Sequence, residues 1–253
     1  MLVGKDMRIA IMMGITKDWA FAAATVLLAL KKTCTVDYEV IIQHNGLSSK
    51  DMKVLNSICT CTFNEYNKAI GDKFKRVTNM AFSRFEVFKL IAHYDRILWI
   101  DADTLVLKDI SPLFNIETQG IAMFKHKNTP MLNSFSKAVP GYDMKKECYN
   151  TGVLMVSNKL PFGVYDWCYK KVSEWYDSIN SEQAIINAML QRFNITPTTL
   201  NINYNCHPNR KTKSTVILHP WGLRKFWKGH PNEKWDELYK EWLKLKEEEE
   251  DSR

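Results

Sequence analysis

Apolar and polar positions along this chain fall into blocks that switch between a period near two and a period near 3.6. Residues 8–13 form an apolar run, 18–31 carry a helical repeat, and 38–43 read as a strand. Ser48 opens a second helix with Asp51 three residues on, the arrangement of an N-terminal cap. This is a βαβα beginning. A short strand is expected near 60–63, then a helix over 80–93 whose apolar positions Phe82, Phe85, Val87, Phe88 and Ile91 largely share one face. Arg-Ile-Leu-Trp-Ile at 96–100 is an unbroken apolar run, the mark of a strand covered on both faces by helices in an α/β domain. Strands at 121–124, 153–156 and 215–218 and helices at 165–176 and 182–191 continue the alternation. No repeat or low-complexity linker divides them, so one domain over 1–253 is expected, with 232–253 a helical, acidic tail.

Composition narrows the class. The chain has 253 residues, 45% of them hydrophobic, enough to bury a sizeable core. Six cysteines show no CxxC pairing, so reduced thiols are expected; Cys59 and Cys61 read as core residues or as a soft-metal pair. Lys5, Asp6 and Arg8 interrupt the apolar N-terminal stretch 1–14, so neither a signal peptide nor a membrane span is expected there, and the longest apolar stretch elsewhere, 20–30, is too short for a bilayer. A soluble, cytoplasmic protein with no membrane span follows as the expectation. The net charge of +7 suits an anionic ligand without separating nucleic acid from nucleotide phosphate. Because the basic residues at 210–213 and 224–228 are not interleaved with a recognition motif, nucleic acid is not the expected partner. The acidic run 247–251 reads as a solvated helix end, and the amphipathic stretch 235–245 before it suits packing against its own domain or a second copy.

Ligands of open α/β sheets bind beyond the carboxyl ends of the central strands, where Asp101, Ala102 and Asp103 stand. On an extended backbone, carboxylates two residues apart project to one side and repel unless a cation lies between them; hard oxygen donors ask for Mg²⁺ or Mn²⁺. An isolated Asp-x-Asp is equally a solvated turn. A second constellation, His219-Pro-Trp-Gly222-Leu-Arg-Lys225-Phe-Trp227, also follows an apolar strand. It offers a neutral imidazole for a metal, a glycine that lets backbone N–H groups approach a phosphate, and a lysine charge for a leaving diphosphate. It also fits an aromatic surface loop, and Trp221 and Trp227 read as packing residues. The third, Asn150-Thr-Gly152 with Glu182-Gln183 downstream, places amides and a carboxylate where they suit sugar hydroxyls, or simply marks a turn and a helix start.

Taken together, these residues resemble glycosyltransferase family 8, which includes glycogenin and the bacterial lipooligosaccharide α-galactosyltransferases. The likeness runs from Arg8 to Trp227 and is carried by Arg-Ile-Leu-Trp-Ile-Asp-Ala-Asp-Thr at 96–104 and by the later His-x-x-Gly-x-x-Lys pattern. It implies a Rossmann-like, GT-A type α/β fold with a mixed, mainly parallel central sheet. It also implies a retaining, metal-dependent enzyme that moves sugar from a nucleotide diphosphate donor, a UDP-sugar, to a glycan, lipid-linked or protein acceptor. By position, Asp101, Asp103 and His219 would hold Mn²⁺ or Mg²⁺. Asp18, Trp19, Arg84, Ala102, Asn150, Gly152, Gly222 and Lys225 would contact the donor with them, and Gln183, Glu182 and Lys225 would serve catalysis. Two departures stand out: Glu182 replaces the family's usual aspartate, and Phe226 stands in place of a proline. Self-glycosylation is not expected, since 206–218 holds no tyrosine. The rivals are a non-catalytic nucleotide-sugar or carbohydrate binding protein on the same fold and a haloacid-dehalogenase-type phosphatase. The phosphatase signature needs threonine where Leu105 stands.

Overall fold

A computed structural model describes residues 7–71 and 79–251; Lys5, Asp6 and the end of the expected tail lie outside the described residues. In chain order the elements are β1 (Ile9–Thr16), α1 (Ala20–Thr33), β2 (Glu39–Asn45), α2 (Ser49–Ile58), β3 (Cys61–Glu65), α3 (Glu86–Leu90), β4 (Arg96–Ile100) and β5 (Leu105–Val106). They continue as β6 (Ile121–Pro130), β7 (Glu147–Ser157), α4 (Val164–Glu174), α5 (Glu182–Arg192), β8 (Thr198–Thr199), β9 (Ile217–Leu218) and α6 (Glu233–Asp251).

Seven strands form one sheet in the order β3-β2-β1-β4-β7-β6-β8. Only the pairings made by β7 are antiparallel, which gives the mixed, mainly parallel sheet expected. Alternation along β1 sorts its side chains: Ile9, Ile11, Met13 and Ile15 join the cluster under α1, α2 and α6, while Ala10 and Met12 face the other layer. The strand order reverses between β1 and β4, so their carboxyl ends open a crevice at the switch point. Ser48 caps α2 as expected, its side chain accepting the Asp51 N–H at 3.0 Å.

Three expectations change. Residues 80–93 do not make one helix: Asn79–Phe85 and Ile91–His93 are 3-10 turns around the five-residue α3. The Ser83 hydroxyl donates to the Met80 carbonyl at 2.6 Å and tightens the first turn, pressed onto β1 at Gly14, where a Cβ would lie 2.4 Å from Ser83 Oγ. The Asn150–Gly152 segment is not a turn but part of β7, which starts at Glu147. The acidic end of α6 is not simply solvated: Glu249 and Glu250 pair with Lys53 and Lys50 of α2. Trp235, Leu238 and Trp242 of α6 are buried in the cluster that α1 and α2 share, so the amphipathic stretch covers its own domain. No helix among the described residues is long and apolar enough to cross a membrane.

Candidate active site

The last residue of β4 delivers Asp101 to the crevice, and the chain then turns, the Thr104 N–H donating to the Asp101 carbonyl at 3.0 Å. Asp101 and Asp103 therefore share a side because a turn folds them together, not because an extended strand alternates. Directly after the turn, β5 pairs antiparallel with β9, Leu105 opposite Leu218. That pairing brings His219, the residue after β9, beside Asp103. One ligand atom from each of Asp101, Asp103 and His219 lies within 4.8 Å of the others, and all six cysteines are free thiols. Cys59 and Cys61, with sulfurs 3.9 Å apart, gather no third ligand among the described residues.

Each carboxylate is held at one oxygen. Asp101 Oδ1 accepts from the Trp99 indole N–H at 2.7 Å and from Arg84 at 2.7 Å, which leaves Oδ2 toward His219 Nε2, 3.7 Å away. Asp103 Oδ2 pairs with Lys225, while its Oδ1 is buried without a hydrogen-bond partner, 3.5 Å from His219 Nε2. A buried carboxylate oxygen without a donor is costly unless a cation meets it. Burial pushes the His219 imidazole below its ordinary value against the pull of Asp103 and Asp101. The ring is therefore neutral at pH 7, the state that ligates metal.

Behind the carboxylates lies a buried charge network. Arg84, only 4% exposed, bridges Asp101 and Glu182, the latter at 2.8 Å, and also contacts the Thr151 hydroxyl. Burial pushes the Glu182 carboxyl up, although Arg84 and the Thr151 hydroxyl at 3.0 Å draw it down. Gly152 runs so close to the metal-type cluster that a Cβ there would sit 2.0 Å from His219 Cε1 and 2.8 Å from Asp101 Oδ2. The surrounding cleft, about 410 Å³, is lined by Trp19, Arg84, Asp101, Ala102, Asp103, Asn150, Gly152, Glu182, Gln183, His219, Gly222 and Lys225 among others.

The profile of glycosyl transferase family 8 matches residues 10–230. The chain belongs to glycosyltransferase family 8. A stretch covering 32% of this family 8 chain is 36% identical over 92 residues to a probable galacturonosyltransferase-like protein of Arabidopsis thaliana, and spans 25% of that protein's length. Among solved structures, the galactosyltransferase LgtC superposes with a TM-score of 0.71 at 13% identity, covering 94% of this chain and 95% of that one. The bifunctional glycosyltransferase WbbM gives 0.71 at 14%, covering 97% and 53%, and GlyE of Streptococcus pneumoniae gives 0.66 at 16%, covering 95% and 62%. These likenesses bear out the GT-A fold and leave the phosphatase reading without support.

The site of this family 8 chain gathers nearly every residue singled out from the sequence. Asp18 is the exception: it is exposed on the 3-10 turn Lys17–Trp19 and does not line the cleft. Trp19 does line it, its ring edge-on to Trp227 at 5.3 Å. Arg84, on the 3-10 turn Asn79–Phe85, lines the cleft from a buried position. Gln183 donates to Ser134 Oγ at 3.3 Å and Cys148 Sγ at 3.2 Å. Gly222 has φ of 101°, a conformation that favours glycine, at the exposed tip of the loop after β9. Trp221 faces the cleft among Phe124, His126 and His207, and Phe226 is buried against Trp235 of α6. Sequence reasoning missed Gly14, Trp99, Thr151 and Asn205. Trp99 had a signal: a buried indole two residues before Asp101 needs an acceptor for its N–H.

Proposed function

We propose that this chain transfers a sugar from a nucleoside diphosphate donor, with UDP as the nucleotide and a divalent cation as cofactor, to a glycan, lipid-linked or protein acceptor with retention of configuration. The observation that carries the reading is the convergence of Asp101, Asp103 and His219 around the unpartnered Asp103 Oδ1. That donor set, two carboxylates and a neutral imidazole, fits Mn²⁺ or Mg²⁺. When bound, the cation stabilises negative charge on the departing diphosphate.

The chain's own residues supply the rest. Trp99 and Arg84 fix Asp101, and Asn205 fixes His219, so the ligand atoms are held before any ligand arrives. Lys225, held between Asp103 and the Pro220 carbonyl, would supply positive charge to the departing diphosphate, and its loss should cost about 3 kcal/mol of barrier by analogy with other preorganised charge stabilisers. The loop tip at Gly222, which lines the cleft, would bring backbone N–H groups to the same phosphates. Of the residues lining the cleft, Trp19 would flank the base, Asn150, Gly152 and Glu182 would border the sugar, and Gln183, its amide nitrogen used on Ser134 and Cys148, would keep its carbonyl oxygen for sugar hydroxyls. Six free cysteines accord with a reducing, cytoplasmic setting.

The test incubates the protein with Mn²⁺ and a panel of UDP-, GDP- and TDP-sugars and follows nucleotide release, with water replacing the acceptor and Asp103→Ala as control. Release from one donor, lost in the variant, is the expected result. Mn²⁺-dependent UDP affinity without release under any acceptor would favour the binding-protein reading, and no metal-dependent nucleotide affinity would end the proposal.

A further inference from the structure

The amides behind His219 form a chain whose polarity can be read from one end. The backbone N–H of Gly152 can only donate, and it lies 2.9 Å from Asn150 Oδ1, which identifies that atom as the carbonyl oxygen. The Asn205 side chain meets the same oxygen at 2.7 Å, so the atom it presents must be a donor, its Nδ2. The other end of the Asn205 amide is therefore an oxygen. It stands 2.8 Å from His219 Nδ1, and for a hydrogen bond to exist there that ring nitrogen must carry the proton.

We propose that Asn205, clamped by Asn150, is a positioning residue that holds the neutral His219 ring in its Nδ1–H tautomer, with the Nε2 lone pair turned on Asp101 and Asp103. Left to the carboxylates alone, the ring would take the opposite form, because a proton on Nε2 would face Asp103 Oδ1 at 3.5 Å and Asp101 Oδ2 at 3.7 Å. That form would close the nitrogen to a cation. It would also set the Nδ1 lone pair against the Asn205 oxygen, two acceptors in contact where Asn205 is 0% and His219 3% exposed. Such a buried mismatch shifts the tautomer balance by roughly tenfold or more. The origin of the relay is a main-chain N–H, which no side-chain rotation can reverse, so the polarity is built into β7 itself. Metal-ligating histidines commonly have the other ring nitrogen fixed in this way. The consequence for metal affinity rests on the cation reading above; the tautomer does not.

The experiment uses the full chain with ¹⁵N-labelled histidine and long-range ¹H–¹⁵N correlation near pH 7.5, the His219 signals being identified by their loss in His219→Gln. Wild type should show a protonated Nδ1 and a bare Nε2. Asn205→Ala should move the ring to the Nε2–H form or a mixture, and lower the affinity for Mn²⁺ titrated alone by about 10- to 100-fold. Asn150→Asp, which keeps an acceptor for both Gly152 and Asn205, should keep the wild-type tautomer. A merely structural Asn205 would lower thermal stability without moving the ring signals. Should Asn205→Ala not fold, Asn150→Ala loosens the clamp one step further from the ring and serves the same comparison. An Nε2–H ring in wild type, or an unchanged tautomer in the folded Asn205→Ala protein, overturns the proposal. Wild type with the expected tautomer but no Mn²⁺ affinity would count against the cation reading instead.

Discussion

Gly152→Ala isolates the steric demand at the centre of the site. The added methyl would lie 2.0 Å from His219 Cε1, 2.7 Å from its Nδ1 and 2.8 Å from Asp101 Oδ2. Ordinary carbon contacts begin near ~3.5 Å, so the ring must retreat by roughly 1.5 Å or the strand must bend. Backbone strain is not at issue, because Gly152 does not adopt a left-handed conformation. Overpacking of this kind costs about 1–3 kcal/mol, or roughly 2–4 °C of melting temperature per kcal/mol in a chain of this size. A retreat of that size also breaks the 2.8 Å bond to Asn205, and misplacement near 1 Å is enough for about a hundredfold loss in function. The decisive assay is a double-mutant cycle in urea, with Gly152→Ala made in wild type and in a His219→Ala background. Removing the imidazole takes away the two closest imidazole contacts, so the methyl should cost about 1–2 kcal/mol less there. Additivity of the two changes within about 0.5 kcal/mol would show that His219 does not oppose a side chain at 152 and would refute the reasoning.

The remaining predictions concern the supports of the site. Arg84→Met leaves buried Glu182 and half-buried Asp101 without their shared cation and should cost about 3–5 kcal/mol in chemical denaturation; a change below about 1 kcal/mol would contradict the network. Trp235→Ala removes a ring stacked on Tyr239 at 5.1 Å and on Phe226 at 6.4 Å, so stability should fall by about 3–5 kcal/mol and, with the loop after β9 unanchored, donor KM should rise more than kcat falls. For pH, His219 titrates below its ordinary 6.5 in the folded chain because of burial, so between those values the unfolded chain binds the extra proton. Its contribution to stability should be complete above pH 6.5 and drain away as pH falls through the depressed value. His219→Gln, compared with wild type by denaturation across pH 5–8, should flatten that part of the profile.

How much of this was legible in the sequence depended on how local the cause was. Arg-Ile-Leu-Trp-Ile ending abruptly in Asp101 announces a buried strand whose next residue meets solvent or ligand, and the structure bears out the strand. The Ser48 cap was equally plain, since both partners lie within one turn. β5 and β8 were not seen, because two residues show no period. The helix expected over 80–93 tightened into 3-10 turns under pressure from β1, a contact across about seventy positions that periodicity cannot register. Arg84 posed the same difficulty: as a lone arginine between aromatic residues it carries no sign of burial, which arises from carboxylates at 101 and 182. Asn205 lacked any local signal, its meaning residing wholly in Asn150 and His219.

The charge of the site runs against the charge of the chain. Overall the protein carries +7, yet its cleft sets the carboxylates of Asp101, Asp103 and Glu182 against only Arg84 and Lys225. Without a cation, that balance would repel the diphosphate of the proposed donor, which the basic residues at 210–213 and at Arg224 and Lys228 outside the cleft would attract. A divalent ion at Asp101, Asp103 and His219, as proposed, would reverse the sign of the cleft while leaving both basic side chains in place. It also meets the one buried carboxylate oxygen of the cluster that has no donor. Arg84 then has a purpose other than donor contact: by neutralising the inner face of Asp101 and Glu182, it keeps the negative charge pointed outward, where a cation rather than a core proton can answer it. The same logic explains why Glu182, although buried and pushed toward its protonated form, is placed against Arg84 instead of in an apolar pocket. On the proposed reading such a cleft would couple cation and diphosphate, since each supplies the charge that the other lacks.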